Sequence, residues 1–533
     1  MEPSQFKAPF TLSYRLNLAN YTSLTHLSCL SIDKHAPLQE NTYTNIMGKR
    51  IIASVLLLLF ILAGLIHGYP LTTGLASQAL PSQKLQEPST SINIYLPLLL
   101  NKFPSPRVYG VETFEIADSR ILSPLVQAGM YWVRRNGVLW NLVEPTKGTR
   151  DWSALANLDN ELQIAALNNL QIILIVRGTP DWAQLHPGSV CGPIKPAEYA
   201  AFGQFVHDLV ARYSQAPYFV KYYEIGNEPD VQWNNSDEPY GCWGEYQLPY
   251  FGAYPYADML KVVYPQVKSA SPAAQVVLGG LLLDCDPNNP PEVPPGSGKY
   301  KDCSSSLFLK GVLEHRGAND GGNYFDVVSF HAYDYYLIPD NQVSRYYNPN
   351  WNSSSETTGP VFLAKLNFLR SLLTQYGYAD KPIMSTELSL LCNEGCDKEF
   401  EQTKAFYAAQ AYAASIAEGL KANVWFDAGG SWRNSGLFSD TKEPQPALFA
   451  YHASRQELAL AKYISTITAY PNVQGYEFIR GNRRVWVLWT MDSQTHKITL
   501  PSAPVVIRDY LGYYLPPSSS ITLYKSLVYL EWN

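Results

Sequence analysis

Two glutamates are the strongest candidates for chemistry, because each follows a short apolar segment of the kind that forms a buried strand. Glu228 lies in the segment YYEIGNEP at residues 222–229, and Glu387 ends the segment PIMSTE at residues 382–387. Two carboxyl groups can share one reaction if one stays protonated and donates a proton while the other stays ionised. Such a pair suits a bond whose cleavage leaves positive charge on carbon and requires protonation of a poor leaving oxygen.

Both glutamates belong to a regular alternation of strand-like and amphipathic segments. Strands are indicated at residues 108–114, 131–135, 171–176, 220–225, 275–281, 325–331, 382–386 and 423–426. These runs are almost continuously apolar, as expected of parallel strands that helices cover. Eight such repeats predict an α/β fold, a (β/α)8 TIM barrel over residues 106–462, with the active site at the carboxyl ends of its strands.

The ordered strand ends resemble clan A of the glycoside hydrolases, in an arrangement similar to family 39 or family 5. Strand four of that clan ends in Asn-Glu, often followed by Pro, and its nucleophile is a Glu at the end of strand seven. By this resemblance Glu228 is the acid/base, Glu387 is the nucleophile, and Asn227 binds the hydroxyl beside the reacting carbon. The implied enzyme is a retaining O-glycoside hydrolase that cleaves β-linked glycosides or polysaccharides through a covalent glycosyl-enzyme intermediate.

The resemblance implies further site residues on other strand ends. One arginine of the segment YWVRR at residues 131–135 must face inward to bind the nucleophile, and the register favours Arg134 over its neighbour. His331 and Tyr333 at the end of strand six would orient the nucleophile or contact substrate. Trp425 on strand eight would form the floor of the sugar site, with core packing as the alternative. We also expect the charge of Glu387 to raise the pKa of Glu228.

Two other functions fit the same residues. A transglycosylase would use the same carboxylate pair but pass the sugar to an acceptor other than water. An inactive carbohydrate-binding protein would keep the cleft without the reaction. Product analysis with and without acceptor sugars separates the first from a hydrolase, and assays of glutamate variants test the second.

The N-terminal region indicates export. Residues 47–50, MGKR, precede an uncharged apolar run at residues 51–66, followed by small residues up to position 76. This is the pattern of a signal peptide at residues 47–76, although an uncleaved run would attach the protein to a membrane. Residues 1–46 are then a doubtful leader that we attribute to start-site choice, with a cytoplasmic tail on a membrane anchor as the alternative, and residues 77–105 form a linker and edge strand. The predicted location is secreted or extracytoplasmic, or membrane-anchored.

The cysteines are consistent with an oxidising compartment. Six follow the leader: Cys191, Cys242, Cys285, Cys303, Cys392 and Cys396. Nearest-neighbour pairing would join them in that order, among fifteen possible connectivities. A zinc site is a weak alternative, because neither a CxxC pair nor a histidine pair at ligand spacing accompanies them.

Composition narrows the partners. The formal net charge of −6 and the absence of a basic stripe give no reason to expect nucleic-acid binding. No nucleotide or phosphate-binding motif occurs, so we predict that the protein binds neither a cofactor nor a metal. The predicted partner is a carbohydrate. Residues 463–533 lose the helical pattern and predict a small C-terminal β-sandwich, either a structural cover or a carbohydrate-binding unit.

Overall fold

The computed structural model describes residues 108–235, 240–338, 344–430, 432–492 and 494–533. The predicted leader at residues 1–46, signal peptide or anchor at residues 47–76 and linker at residues 77–105 lie outside the described residues. None of the helices in the described ranges combines the length and the apolar content that a bilayer crossing requires.

The main sheet is mixed and contains ten strands. They are β1 (Tyr109–Glu112), β2 (Trp132–Leu139), β3 (Gln171–Arg177), β4 (Tyr222–Ile225), β5 (Gln275–Leu278), β6 (Val328–Leu337), β7 (Arg345–Asn348), β8 (Ser353–Ser354), β9 (Ile383–Leu391) and β10 (Ala422–Trp425). Their hydrogen-bonded order is β5-β4-β3-β2-β1-β10-β9-β6-β7-β8. All neighbours from β5 through to β6 are parallel, whereas β7 and β8 pair antiparallel. Each of the eight segments predicted from the sequence overlaps one of the parallel strands.

The two outer members of the parallel row, β5 and β6, also contact each other. Parallel bridges pair Val277 with Val327 and Leu281 with Phe330. Backbone hydrogen bonds cross the same contact, including one of 2.8 Å from the N–H of His331 to the carbonyl of Leu281. These bridges are isolated, and the hydrogen-bonded strand order keeps β5 at one edge of the sheet.

Nine α-helices accompany the sheet in the described residues. They are α1 (Ser119–Gln127), α2 (Trp140–Val143), α3 (Ala156–Leu167), α4 (Tyr199–Tyr213), α5 (Ala253–Ala270), α6 (Phe308–Glu314), α7 (Phe362–Gln375), α8 (Lys398–Ala417) and α9 (Pro446–Leu458). Strands β9 and β10 are buried at every position, because side chains on both faces are covered. This coverage explains why the strands read as apolar runs rather than as an alternating pattern.

Strands β6 and β9 run beyond their predicted ends at residues 331 and 386. Asp334 interrupts the apolar pattern of β6, yet its carboxylate is buried and accepts hydrogen bonds from the backbone N–H of Val361 and the hydroxyl of Tyr407. Both partners bind the Oδ2 atom of a residue that, by sequence alone, signals the end of a strand. The extension carries the antiparallel strands β7 and β8, which the sequence analysis did not predict.

The C-terminal region is antiparallel. Its strands are β11 (Lys462–Thr466), β12 (Val473–Arg480), β13 (Arg483–Thr490), β14 (His496–Thr499), β15 (Val506–Asp509), β16 (Tyr514–Leu515), β17 (Ser520–Leu523) and β18 (Val528–Trp532). Six form one sheet in the order β11-β12-β13-β18-β15-β16, and β14 pairs with β17. Trp486 and Trp489 are both buried in the packing of this region. Gln410 of α8 donates to the carbonyl of Lys525 at 2.7 Å, which joins the region to the helices.

Three disulfide bonds join the cysteines in nearest-neighbour pairs. They are Cys191–Cys242, Cys285–Cys303 and Cys392–Cys396. Each disulfide tethers a segment that follows the carboxyl end of a parallel strand. The three links therefore lie in the segments that leave the carboxyl end of the sheet.

Candidate active site

Glu228 lies in a strained turn immediately after β4. Gly226 has a φ of +82° and Glu228 itself has a φ of +45°. The left-handed region costs a residue with a side chain of order 1–3 kcal/mol and persists where the surroundings impose it. Here the backbone N–H of Glu228 donates to the carbonyl of Gly280 at 2.9 Å. The turn therefore fixes the position of the Glu228 side chain.

Glu387 lies within β9, at an irregularity in its pairing with β6. Ser385 pairs with Phe330 and Glu387 pairs with His331, which leaves Thr386 as an additional residue on β9. Such a bulge re-aims the side chains beside it. The Glu387 side chain is only 8% exposed, so it is held in a nearly closed environment.

The two carboxyl groups converge. One oxygen of Glu228, one of Glu387 and a ring nitrogen of His331 all lie within 4.8 Å of one another. The Nδ1 atom of His331 is 2.9 Å from Oε1 of Glu228 and 3.4 Å from Oε2 of Glu387. The structure thus brings together residues that are 159 positions apart in the chain, one just after β4 and the other in the middle of β9.

Arg134 is the central cation of the site. Its guanidinium is buried and donates to Glu387, to Glu112 at 2.6 Å and to Glu224 at 2.8 Å. It also donates to Oδ1 of Asn227 at 2.6 Å. The neighbouring Arg135 faces the other side of β2 and pairs with Glu161 on α3. Alternation along the strand therefore places Arg134, and not its neighbour, against the nucleophile candidate.

Burial raises the pKa of Glu228 to about 7, against the opposing charges of Arg134 and Lys365. The nearby carboxylate that adds to this rise is Glu224. Our expectation that the charge of Glu387 would be the cause was wrong, because desolvation dominates and Arg134 binds Glu387 directly. At neutral pH a substantial fraction of Glu228 therefore keeps its proton.

His331 and Tyr333 both contact the carboxyl pair. Burial lowers the pKa of His331 to about 4, so its ring is neutral at pH 7. The hydroxyl of Tyr333 donates to Oε2 of Glu387, and burial holds the pKa of this phenol well above its ordinary value. A neutral imidazole and a protonated phenol can orient the carboxylates without adding charge.

Two further glutamates beneath the site received no role in the sequence analysis. Glu112 and Glu224 are buried in β1 and β4, and both bind Arg134. Burial raises the pKa of Glu112 to about 8, with help from the charge of Glu387. A charged residue inside an otherwise apolar strand was the available signal, since such a residue is rarely buried unless it is paired.

Trp425 does not form the floor of a sugar site. Its side chain is fully buried, and its indole N–H donates to the carbonyl of Ser435 at 2.9 Å. This corrects the sequence interpretation in favour of core packing. Trp432 is instead 45% exposed, and its ring packs against Tyr333 with the ring centres 5.5 Å apart. Trp432 is therefore the aromatic surface beside the carboxyl pair.

Glu228, His331 and Glu387 are also the donor set closest to a metal-binding arrangement in the described residues. Metal ligation requires deprotonated carboxylates and competes with protons for them. The raised pKa of Glu228 and the ion pair between Arg134 and Glu387 both disfavour a cation at this position. The arrangement is better suited to moving protons.

Comparisons with known proteins bear on the fold. No protein-family model matches the sequence, and no curated protein matches it. A family 39 glycoside hydrolase from Bacteroides cellulosilyticus WH2 aligns with a TM-score of 0.59 and 17% identity, over 80% of this chain and 81% of that one. A conserved exported protein from Bacteroides fragilis aligns with a TM-score of 0.55 and 11% identity, over 80% and 98%. A GH30 endoxylanase from Clostridium papyrosolvens C71 aligns with a TM-score of 0.51 and 12% identity, over 81% and 97%.

The fold is that of clan A glycoside hydrolases. The clan resemblance that the strand ends indicated is thereby confirmed at the level of the fold, and the similarity to family 39 is consistent with it. At identities below 20% the aligned structures carry no residue-level assignment. Function must therefore be argued from the geometry of this site.

Proposed function

We propose that the chain is an exported retaining O-glycoside hydrolase that cleaves β-linked glycosides or polysaccharides. The observation that carries this proposal is the separation of the two carboxyl groups. One oxygen of Glu228 lies within 4.8 Å of one oxygen of Glu387. Retaining glycosidases hold the pair about 5–5.5 Å apart, whereas inverting ones leave about 6.5–9.5 Å for a water molecule. The separation here favours direct attack by one carboxylate.

In the first step Glu387 is the nucleophile and Glu228 is the acid. A carboxylate oxygen of Glu387 forms a bond to the anomeric carbon while the bond from that carbon to the leaving oxygen breaks. Glu228 gives its proton to the leaving oxygen, for which a pKa of about 7 is well suited near neutral pH. Arg134 and Tyr333 bind Glu387 and hold the attacking carboxylate in place.

In the second step Glu228 acts as the base. Its carboxylate takes a proton from water, whose oxygen attacks the anomeric carbon and displaces the Glu387 carboxylate. Asn227, held by Arg134 at 2.6 Å, binds the sugar hydroxyl beside the reacting carbon. His331, 2.9 Å from Glu228, keeps the acid/base in one orientation through both steps.

The framework for this chemistry is a closed (β/α)8 barrel with a C-terminal β-sandwich. The bridges between β5 and β6 support closure, because they join the two outer members of the parallel row. The paired antiparallel sheets of residues 462–533 support the sandwich. Three disulfide bonds support an oxidising, extracytoplasmic location.

The proposal is tested with a panel of aryl β-glycosides and polysaccharides. We expect Glu387→Gln to lose at least about a thousandfold in kcat, since an amide cannot form the ester intermediate. Glu228→Gln should lose about 10²–10⁴-fold on substrates with poor leaving groups. Glu477→Gln in β12 is the matched control and should keep full activity. Hydrolysis that survives in Glu387→Gln would overturn the proposal.

A further inference from the structure

Arg177 is the last residue of β3 and lies beside the proposed catalytic groups. Val176 accepts a hydrogen bond from the backbone N–H of Gly226, which sets Arg177 level with the turn that carries Asn227. The guanidinium is therefore one step along the sheet from the groups that would hold the sugar.

The contacts of Arg177 in the described residues leave its Nη1 atom without an acceptor. Its Nε donates to Oδ1 of Asn136 at 2.5 Å, and its guanidinium carbon lies 5.8 Å from the centre of the Tyr240 ring. Its Nη1 is buried and reaches no acceptor among the described residues. Within the described ranges no carboxylate forms an ion pair with Arg177, in contrast to Arg134, which pairs with three.

Arg177 is half-buried, and a guanidinium nitrogen that is buried without an acceptor is unfavourable unless a bound group completes it. Burial and the charge of Arg134 lower the pKa of Arg177 to about 10, which still leaves it charged at neutral pH. Its N–H groups form a planar fork that matches the two oxygens of a carboxylate or of a sulfate. The bond to Asn136 orients this fork, with the Tyr240 ring nearby.

We propose that Arg177 binds an anionic group, a carboxylate or a sulfate ester, on the sugar that lies beside Glu228 and Glu387. The substrates are then acidic glycosides such as uronides or sulfated sugars. This inference rests on the proposed glycosidase function and deepens it. Hydroxyl groups of a neutral sugar would leave Arg177 without a direct ion-pair partner among the described residues.

A different role for Arg177 makes a different prediction. Glu112 and Glu387 act on its charge through space, so Arg177 would then only balance the negative charge around Arg134. In that case its removal would change the cleavage of neutral and acidic sugars by the same factor. Selective loss on acidic sugars distinguishes substrate binding from charge balance.

The experiment compares three aryl β-glycosides that share a leaving group: a hexoside, the corresponding uronide and the 6-sulfated hexoside. We expect the wild type to prefer one charged member by at least about tenfold in kcat/KM, and Arg177→Gln to lose about 10–100-fold on it. The neutral hexoside should change less than about threefold, since it makes no charged contact. Arg177→Lys should fall between the two, and Arg484→Gln in β13 is the matched control.

The outcomes separate the two proposals. Glu387-dependent hydrolysis of the neutral hexoside without preference for either charged sugar overturns the role of Arg177 and leaves the glycosidase function standing. Equal losses on all three substrates overturn it as well. If none of the three glycosides is hydrolysed, binding is measured instead. The wild type and Arg177→Gln are each titrated calorimetrically with free uronate and with free hexose. Uronate binding that requires Arg177 supports the inference, and equal or absent binding overturns it.

Discussion

The Nδ1 atom of His331 lies 2.9 Å from Oε1 of Glu228. Burial lowers the pKa of the imidazole to about 4 and raises the pKa of the carboxyl to about 7. Between these values the ring is neutral while the carboxyl keeps its proton, so the two groups share a neutral hydrogen bond instead of an ion pair. The proton needed by a leaving oxygen is thereby held at a fixed place.

This pairing predicts the pH dependence of the reaction. Because Glu228 must be protonated for the first step, kcat/KM should fall as the pH rises through about 7. The measurement is a pH–rate profile between pH 4 and 10. On a dinitrophenyl glycoside, whose leaving group needs no proton, the decline should disappear in the wild type, and Glu228→Gln should retain the first step without it. A decline that persists unchanged in Glu228→Gln would assign it to another group.

Glu112 should make the protein less stable in alkali. Its folded-state pKa is raised to about 8, above the ordinary value of about 4.3. The favourable contribution of its protonated form is complete below the ordinary value and is lost as the pH rises through about 8. Urea denaturation at pH 5 and pH 8 should show Glu112→Gln gaining on the wild type by on the order of 3–4 kcal/mol. A constant difference between the two proteins would contradict the raised pKa.

Two tryptophans should give opposite signatures. Trp432 is 45% exposed beside Tyr333, so Trp432→Ala should raise KM about five- to tenfold with little change in Tm. Trp425 is fully buried, so Trp425→Ala should lower the free energy of unfolding by about 3–5 kcal/mol. Thermal melts and steady-state kinetics on both variants check this. The reverse pattern would restore Trp425 as a substrate contact.

The disulfides should contribute unequally to stability. Cys191 and Cys242 are 51 residues apart, whereas Cys392 and Cys396 are 4 apart. The entropy of loop closure gives about 4 kcal/mol for the first and about 2 kcal/mol for the second. Paired Cys→Ser variants, compared by denaturant titration, should differ in that order. A larger loss for Cys392–Cys396 would show that contacts of the loop outweigh chain entropy.

The sequence was sufficient to locate the strands that position Glu228 and Glu387. An apolar run followed by a polar residue indicated where those strands lie, alternation allowed only one of the two adjacent arginines inside, and the register of the resembled clan selected Arg134. Both signals are local, so they survive without knowledge of the tertiary structure. The same locality explains why the eight parallel strands were predicted near their observed positions.

Other features depend on contacts that have no local signal. Glu112 and Glu224 are acceptable inside buried strands only because Arg134 lies between them, and nothing in either strand indicates the shared partner. Trp432 lies in a short 3-10 turn, where no repeating pattern indicates which side chains are exposed. The sequence therefore did not indicate that Trp432, and not Trp425, is the exposed tryptophan beside the site. Strands β7 and β8 were missed because the carboxylate of Asp334 looks like a strand end until its buried donors are known.

Covalent capture of the intermediate tests the central claim most directly. A 2-fluoro glycosyl fluoride slows the second step, so the sugar should remain attached to the protein and be located by peptide mass spectrometry. We predict one modified peptide, with the label on Glu387, and no label in Glu387→Gln. A label on any other residue, or products with inverted anomeric configuration, would contradict the account.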